Sequence, residues 1–451
     1  MNYYRRLPSA SAVCASRGMK VDRVPVAMNA SLNDGVSGLG VRLRSHGFDT
    51  WSEHWKTVLA PPKCEASSST LPLPSDLRIV IVSLFEGIGG ISQAFKLAGV
   101  QVAALIIVEP DAGCRKVVRR HFPVAEEYTD VEDITERVIA RWQQTFGECH
   151  IFWSARCPVH NLGNWPQQAG LSASESSFFW HVPRIDKLLS LTFGRARVKG
   201  LFVNGSGLKR GGDAIISEAL GSETLFIDAK CCSLVRRPRF YWLVNYALQN
   251  SKSCILQKQQ RPSGELIILG ERPEIEFFIA PEGEAQLSKG EYYPTFTRPR
   301  PKRVLPQYVA GFSKSSAAAV DRWTADDHRY QPYQLEQCYM VREAGQLRAL
   351  CANEREKLMG FGIGYTRYLE KAKPKADCWT FEDRRSDAIG NSFHCIVVGH
   401  LVSHAFASKP AEVCDAAQLW KRYKEIERKE SEWLATLENM DVENYEQERQ
   451  D

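Results

Sequence analysis

The stretch from Ile79 to Pro123 leaves few folds open. An apolar run (Ile79, Val80, Ile81, Val82) breaks at Phe85, Gly87, Gly89 and Gly90. A helical pattern follows in Ile91, Ala94, Phe95 and Leu97, and then a second apolar run ends at Glu109. Strand, tight glycine turn, helix, strand and acid in that order predict a parallel β-α-β unit. Such a unit suits an adenosine-containing ligand, because the glycines allow positive φ and close approach to the backbone, and an acid at the end of the second strand can accept from ribose hydroxyls. Ser92 stands where a dinucleotide motif has its third glycine, and an ordinary β-α-β turn with no ligand uses the same residues.

The remaining composition sets bounds. A chain of 451 residues with 44% apolar content predicts two or three domains with sizeable cores. A net charge of +5 is compatible with a nucleic-acid partner without demonstrating one. The 13 cysteines are scattered, with no C-x-x-C pair, which reads as reduced thiols in an intracellular protein without structural zinc. No apolar run has the length of a membrane span.

Residues 1 to about 75 read as a basic, partly disordered extension, with Arg5, Arg6 and Arg17 ahead of the first acid, Asp22. An organelle transit peptide has a similar composition. Trp51 and Trp55 suggest a short docking helix, and the Pro- and Ser-rich run from Pro61 to Pro74 a linker. After Glu109, the pattern predicts a helix from Asp111 to Phe122. Asp130 or Asp133 then lies where a third strand should end, in position to reach an adenine edge, with helix capping the expected role of Asp133. A strand from Ile151 to Trp153 leads to Cys157, and an amphipathic helix starts near Ser176. A cysteine at the carboxyl end of a strand beside the cofactor strand sits where open α/β sheets place their chemistry, although buried packing is the commoner use of the residue.

Farther on, short strands are expected at Cys254 to Leu256, Leu266 to Leu269 and Ile275 to Ile279. The basic, Pro-rich TFTRPRPKR, with Arg298, Arg300, Lys302 and Arg303, suits phosphate contacts, and a solvated loop is the plain alternative. No role emerges for Arg322 to Glu336. Ala352 to Thr366 predicts a helix and a glycine-bearing turn. His394 and His400 read as packing histidines, on the expectation that no second metal-type ligand lies at helical spacing beside them. Leu419, Trp420, Tyr423, Ile426 and Trp433 outline a final helix, which is expected either to pack back on the domain or to bind a protein partner.

The order SLFEGIGG, VEP, TDVEDIT, Cys157, SSFFWHVPRI, LFVNGSG, CCSLVRRPRFYW, LMGF and AIGNSFHCIVVGHL resembles the DNA cytosine-5 methyltransferases, and within them the branch containing the animal de novo enzymes. The resemblance spans roughly Ile79 to Phe406. It implies an α/β, Rossmann-like S-adenosylmethionine-dependent methyltransferase fold with a mostly parallel sheet, plus a small irregular target-recognition domain. Carried over by motif, Phe85, Gly87, Ile88 and Gly89 match the loop around S-adenosylmethionine, Glu109 the ribose acid and Asp130 the acid near adenine. Asn391 and Ser392 match the late helix start that completes the cofactor pocket. Cys157 matches the nucleophile, and Arg237 and Arg239 the basic pair near the catalytic pocket. The implied domains are an extension over 1–75, a cofactor and catalytic domain over 76–242, target recognition over 243–333, a return to the catalytic domain over 334–408 and a helical charged tail over 409–451.

The chemistry explains these residue types. Cytosine C5 becomes nucleophilic only after a thiolate adds to C6. An acid or strong donor at N3 stabilises that adduct, and a base then removes the C5 proton. The base must leave the stack to be reached. This sequence departs from the family twice. Arg156 precedes Cys157 where the family has proline, an exchange expected either to lower the thiol pKa or to misplace the sulfur. The family's Glu-Asn-Val becomes FVNGSG, placing Asn204, or Val203 in the shifted register, where the acid should be. Loss of a general acid costs roughly 10²–10⁴ in rate. The reading is therefore a slow cytosine-5 methyltransferase with duplex DNA as partner, nuclear or chromatin-associated. The alternative is a catalytically inactive relative that binds cofactor or DNA, and a related RNA methyltransferase is a third possibility.

Overall fold

The computed structural model describes residues 78–157, 177–208, 211–257, 264–296, 315–326, 328, 330–369 and 380–429. The expectations for residues 1–75, for Arg298, Arg300, Lys302 and Arg303, and for Trp433 and the acidic end of the tail lie outside them.

The opening pattern folds as its residues dictate. β1 (Ile79–Leu84) is buried at every position, as a central strand covered on both faces must be. α1 (Gly90–Ala98) starts at Gly89 in left-handed geometry, with φ 91°, and β2 (Ala104–Val108) pairs parallel with β1. α2 (Ala112–His121) is capped by Asp111, whose carboxylate accepts from the Cys114 amide at 2.8 Å. β3 (Glu126–Tyr128) extends the sheet on that side. On the other side β4 (His150–Ala155) and β5 (Val198–Gly205) follow β1 in parallel. α3 (Glu136–Phe146) and α4 (Ser177–Phe193) make the crossovers.

The direction then reverses. α5 (Gly212–Leu220) leads to β6 (Thr224–Asp228), and β7 (Pro238–Val244) inserts antiparallel between β5 and β6. β8 (Cys254–Gln257) and β9 (Gly264–Ile268) form an outer hairpin, with β9 parallel to β6. Among the described residues the sheet order is β3-β2-β1-β4-β5-β7-β6-β9-β8. This is the mostly parallel, Rossmann-like α/β architecture expected from the sequence.

One correction concerns the region after Trp242. The expected strands at 254 and 266 exist and continue the large sheet. The third, at Ile275 to Ile279, is a 3-10 turn over Ile275–Phe277. A small separate sheet is made instead by β10 (Gly283–Ala285), β11 (Val341–Glu343) and β12 (Gln346–Arg348). Beside it α6 (Ala317–Ala325) buries Trp323 against Leu335 and Met340, which gives the aromatic segment of unassigned role a packing function.

Side-chain alternation sends the sheet's apolar residues into two cores. One face meets α1, α2, α7 (Ala352–Met359), α8 (Phe381–Gly390) and α9 (Cys395–Phe406); the other meets α3, α4 and α5. A final helix, α10, covers residues 416–429. Its Leu419, Trp420 and Tyr423 are buried in the first core, and the Trp420 indole donates to the Cys232 carbonyl at 2.7 Å. Of the two expectations for this helix, its Leu419–Trp420–Tyr423 face meets that of packing back on the domain. No helix among the described residues is long and apolar enough to cross a membrane.

Candidate functional site

Strand register assembles the site. Leu84 of β1 lies beside Val108 of β2 and Ala155 of β4, and Ala155 lies beside Phe202 of β5. One or two residues beyond these partners come Phe85 and Glu86, Glu109, Arg156 and Cys157, and Val203 and Asn204. All emerge at the carboxyl edge of the parallel strands, where open α/β sheets bind ligands.

The turn after β1 is held open by its backbone. Phe85 and Gly87 both have positive φ, and a Cβ added at Gly87 would meet nothing within 4 Å, so clear space lies in front of it. Glu109, 5% exposed, accepts from the Gly87 amide and from the Asp111 amide, each at 2.9 Å, one with each carboxylate oxygen. Each oxygen retains a second acceptor direction. Burial pushes the Glu109 carboxyl up to about 7, against the pull of those two amides. Glu86, 1% exposed, hydrogen-bonds Ser83 and Ser92, and burial, with a lesser contribution from Glu109, pushes it up to about 8. Ile88 is a core residue in the cluster beneath the turn.

The far end of the chain closes this turn. The Ser392 hydroxyl would lie 2.8 Å from a Cβ on Gly90, so the absence of a side chain there permits the approach. Ser392 is buried, and its Oγ makes no hydrogen bond. Arg237 donates through Nη2 to the carbonyls of Gly390, at 3.0 Å, and Ser392. Asn391 caps α8 from an exposed position and donates to Asp387 at 3.0 Å. Asp130 spends one oxygen capping the 3-10 turn that follows β3, accepting from the Glu132 amide at 2.9 Å. Helix capping does not fall to Asp133, as expected, but to Thr135.

The reactive candidates lie beside this turn. Cys157 belongs to the core that contains Phe85, Ala155 and Phe202. Alternation along β5, with Leu201 and Val203 in one core and Phe202 in the other, puts Asn204 on the Cys157 side and Val203 on the opposite side. Asn204 is fully buried. Its Oδ1 accepts from the Gly205 amide at 2.7 Å, which fixes the side-chain orientation, since a reversed amide would oppose two donors; Nδ2 is left without a partner. The Cys157 thiol is 2% exposed, and burial alone drives its pKa far up. Of the two expected effects of Arg156, a lowered thiol pKa is not met: burial raises it, with no opposing contribution from Arg156.

Arg239 pairs with Gly205 across the β5–β7 ladder and donates to the Pro238 carbonyl at 2.8 Å. It alternates with Phe240 and shares the face of Tyr241, opposite that of Asn204. Burial, then the guanidiniums of Arg239 and Arg156, push Arg237 well below the ordinary arginine range. The basic pair therefore borders the pocket edge from the other side of the sheet, and Arg237 works as a clamp on the α8–α9 junction.

Sequence reasoning missed Glu86, although it stands between Phe85 and Gly87 in the turn itself. It also missed His404, which lies one helical turn beyond His400 and makes a 3.2 Å Nε2–Nε2 contact with it, contrary to the expectation of no second ligand at that spacing. The i, i+4 spacing was the available signal.

The residues present fit an adenosine-type cofactor such as S-adenosylmethionine. There is open space before Gly87, acceptor capacity on Glu109 beside it, and a buried Ser392 hydroxyl without a hydrogen-bond partner where the turn is closed. No family model and no curated protein matches the chain. Solved structures are similar over most of its length. The Dnmt2 methyltransferase of S. pombe is 15% identical, with a TM-score of 0.45, covering 73% of this chain and 98% of its own. A DNMT2 mutant from Spodoptera frugiperda is 15% identical, with a TM-score of 0.44, covering 72% and 99%. The methyltransferase EhMeth of Entamoeba histolytica is 14% identical, with a TM-score of 0.47, covering 73% and 98%. Likeness at this level assigns no activity.

Proposed function

We propose that the chain is an S-adenosylmethionine-dependent methyltransferase acting slowly on C5 of cytosine in DNA. The observation that carries the reading is the convergence, on one sheet edge, of the Gly87–Glu109 cradle with Cys157, two residues past the end of β4, and Asn204, near the end of β5 and two residues past Phe202, the partner of Ala155. When bound, S-adenosylmethionine supplies a methyl group on a sulfonium centre. Glu109 orients it by accepting from ribose hydroxyls, and Phe85, Gly87 and Ser392 shape the walls of its site. Cys157 Sγ, its proton released to solvent, would add to C6 of an extruded cytosine; after C5 has taken the methyl, loss of the C5 proton to water would re-form the C5–C6 double bond and expel the Cys157 thiolate.

Two features make this slow. Burial holds Cys157 as a thiol, so its proton must leave before addition. Asn204 can hydrogen-bond N3 through Nδ2 but cannot protonate it, which removes roughly 10²–10⁴ in rate. The same two features favour a second reading, a non-catalytic relative that keeps the cofactor site.

The test is incubation with labelled S-adenosylmethionine and duplex DNA, alongside Cys157→Ser and Asn204→Glu. Slow transfer abolished by Cys157→Ser, with a covalent adduct on fluorocytosine DNA, supports the enzyme. Cofactor binding by calorimetry without transfer or adduct supports the non-catalytic reading, and absence of both from a folded chain removes the cofactor site as well.

A further inference from the structure

Away from the methyl-transfer edge, α9 and the outer hairpin bring three metal-ligating side chains together. His400 and His404 lie one turn apart on α9, and Cys254 opens β8. Their ligand atoms all fall within 4.8 Å of one another. His404 Nε2 is 3.2 Å from His400 Nε2 and 3.7 Å from Cys254 Sγ. A tetrahedral zinc ion with Zn–N of about 2.0–2.1 Å and Zn–S of about 2.3 Å spaces its ligands at roughly 3.3 Å for N to N and roughly 3.6 Å for N to S. Both observed edges match.

The surroundings favour an ion at His400. A carbonyl can only accept, so the 2.6 Å contact between His400 Nδ1 and the Cys414 carbonyl puts the ring proton on Nδ1 and leaves a lone pair at Nε2, the usual support for a metal-bound histidine. His404 is arranged for the opposite tautomer. Its Nδ1 accepts from the Gln249 amide at 2.9 Å, so without metal its Nε2 carries the proton and donates it to His400. A relay of hydrogen bonds therefore satisfies both rings on its own, and the Cys254 thiol at its open end lies 3.7 Å from His404 Nε2 and 3.9 Å from Ser251 Oγ. Metal binding requires the His404 proton to move to Nδ1, where it would face the Gln249 backbone N–H, so this peptide must turn away from the ring.

We propose that Cys254, His400 and His404 form a binding site for a zinc-class transition-metal ion. The ion replaces the single proton between the two Nε2 atoms, the thiol proton passes to solvent, and the fourth position faces the half-buried side at Cys254. One thiolate and two imidazoles form a donor set that selects zinc-class ions over magnesium or calcium. The site ties the β8–β9 hairpin at the sheet's outer edge to α9. Its position is toward the end of α9 where Lys199, at the start of β5, donates to the Ala405 carbonyl.

The test uses the full chain, freed of any affinity tag and titrated with cobalt(II). One equivalent of cobalt giving visible d–d bands of tetrahedral intensity, together with a thiolate-to-cobalt charge-transfer band, is the expected result. Cys254→Ser should remove the charge-transfer band, while Cys338→Ser, at a half-buried thiol outside the cluster, should leave it unchanged. His404→Gln should abolish stoichiometric binding, with folding checked by circular dichroism. A folded wild-type chain that shows no saturable cobalt band leaves only the hydrogen-bond relay, and a band that survives Cys254→Ser places the ion elsewhere; either result overturns the site.

Discussion

Glu86→Gln isolates the electrostatic cost built into the glycine turn. The carboxyl is 1% exposed, and burial pushes it from 4.5 up to about 8. The unfolded chain releases this proton near 4.5, whereas the folded chain keeps it to about 8. Across that window the native state binds more protons, so stability falls as pH rises; the penalty is absent below 4.5 and complete above about 8. At about 1.36 kcal/mol per pH unit, the full penalty is on the order of 4–5 kcal/mol. Glutamine keeps the shape and cannot ionise. It loses one acceptor near Ser83 and Ser92, worth about 1 kcal/mol. Urea unfolding at pH 5 and pH 9 should therefore show the variant slightly less stable than wild type at the lower pH and more stable by a few kcal/mol at the higher. Unchanged m-values would confirm that the same transition is compared. Parallel pH dependence in the two proteins would refute the burial of an ionisable group at this position.

Three further outcomes are expected. Gly200→Ala places a Cβ 2.0 Å from Cε2 of the buried Trp153 ring, which the Trp153–Asp186 hydrogen bond holds in place. Overpacking of this kind costs roughly 1–3 kcal/mol or more, and a drop of several degrees in thermal midpoint is expected, with an unchanged midpoint refuting the packing. Cys157 should react with iodoacetamide at neutral pH far more slowly in the native chain than in urea, as read by peptide mass spectrometry, because burial holds it as a protonated thiol. Affinity for S-adenosylmethionine, measured by calorimetry, should rise as pH increases through about 7, where Glu109 ionises and becomes a stronger acceptor; in Glu109→Gln it should be weak and flat with pH.

Much of this could be read from residue pattern because it follows from local rules. The β-branched run at 79–82, the glycines after it and the acid at 109 allow little besides a β-α-β unit, and the helix expected from Asp111 to Phe122 forms over Ala112–His121. The helix at Ala352–Met359 and its glycine turn were equally local. Long-range choices were less legible. The segment at 254–268 has strand composition, but pairing of β9 with β6 depends on which sheet edge is vacant, and no local signal states that. Ile275 to Ile279 has strand propensity that tertiary packing overrode. Within the site, Asn204 was recognised as the missing acid, yet its Oδ1 bond to the Gly205 amide and its stranded Nδ2 are products of the strand end. Arg237 looked catalytic by motif, and only the three-dimensional contact with Gly390 and Ser392 reveals a clamp.

The close approach of Ser392 to Gly90 also bears on how the protein folds. The turn after β1 is finished by groups hundreds of residues later in the chain: Gln93 in α1 donates to the Gly360 carbonyl across a separation of 267 residues, at 3.4 Å. Closing contacts of such range must be met by entropy before they return any energy, so high contact order makes this pocket a late event in folding. During synthesis, β1 to β5 emerge with every glycine of the turn and with Glu109, Cys157 and Asn204, but without the wall that Ser392 and Arg237 build together. A ribosome-bound chain stopped short of α8 therefore holds the residues of the site without the site, and ligand-induced protection should begin only once α9 has cleared the exit tunnel.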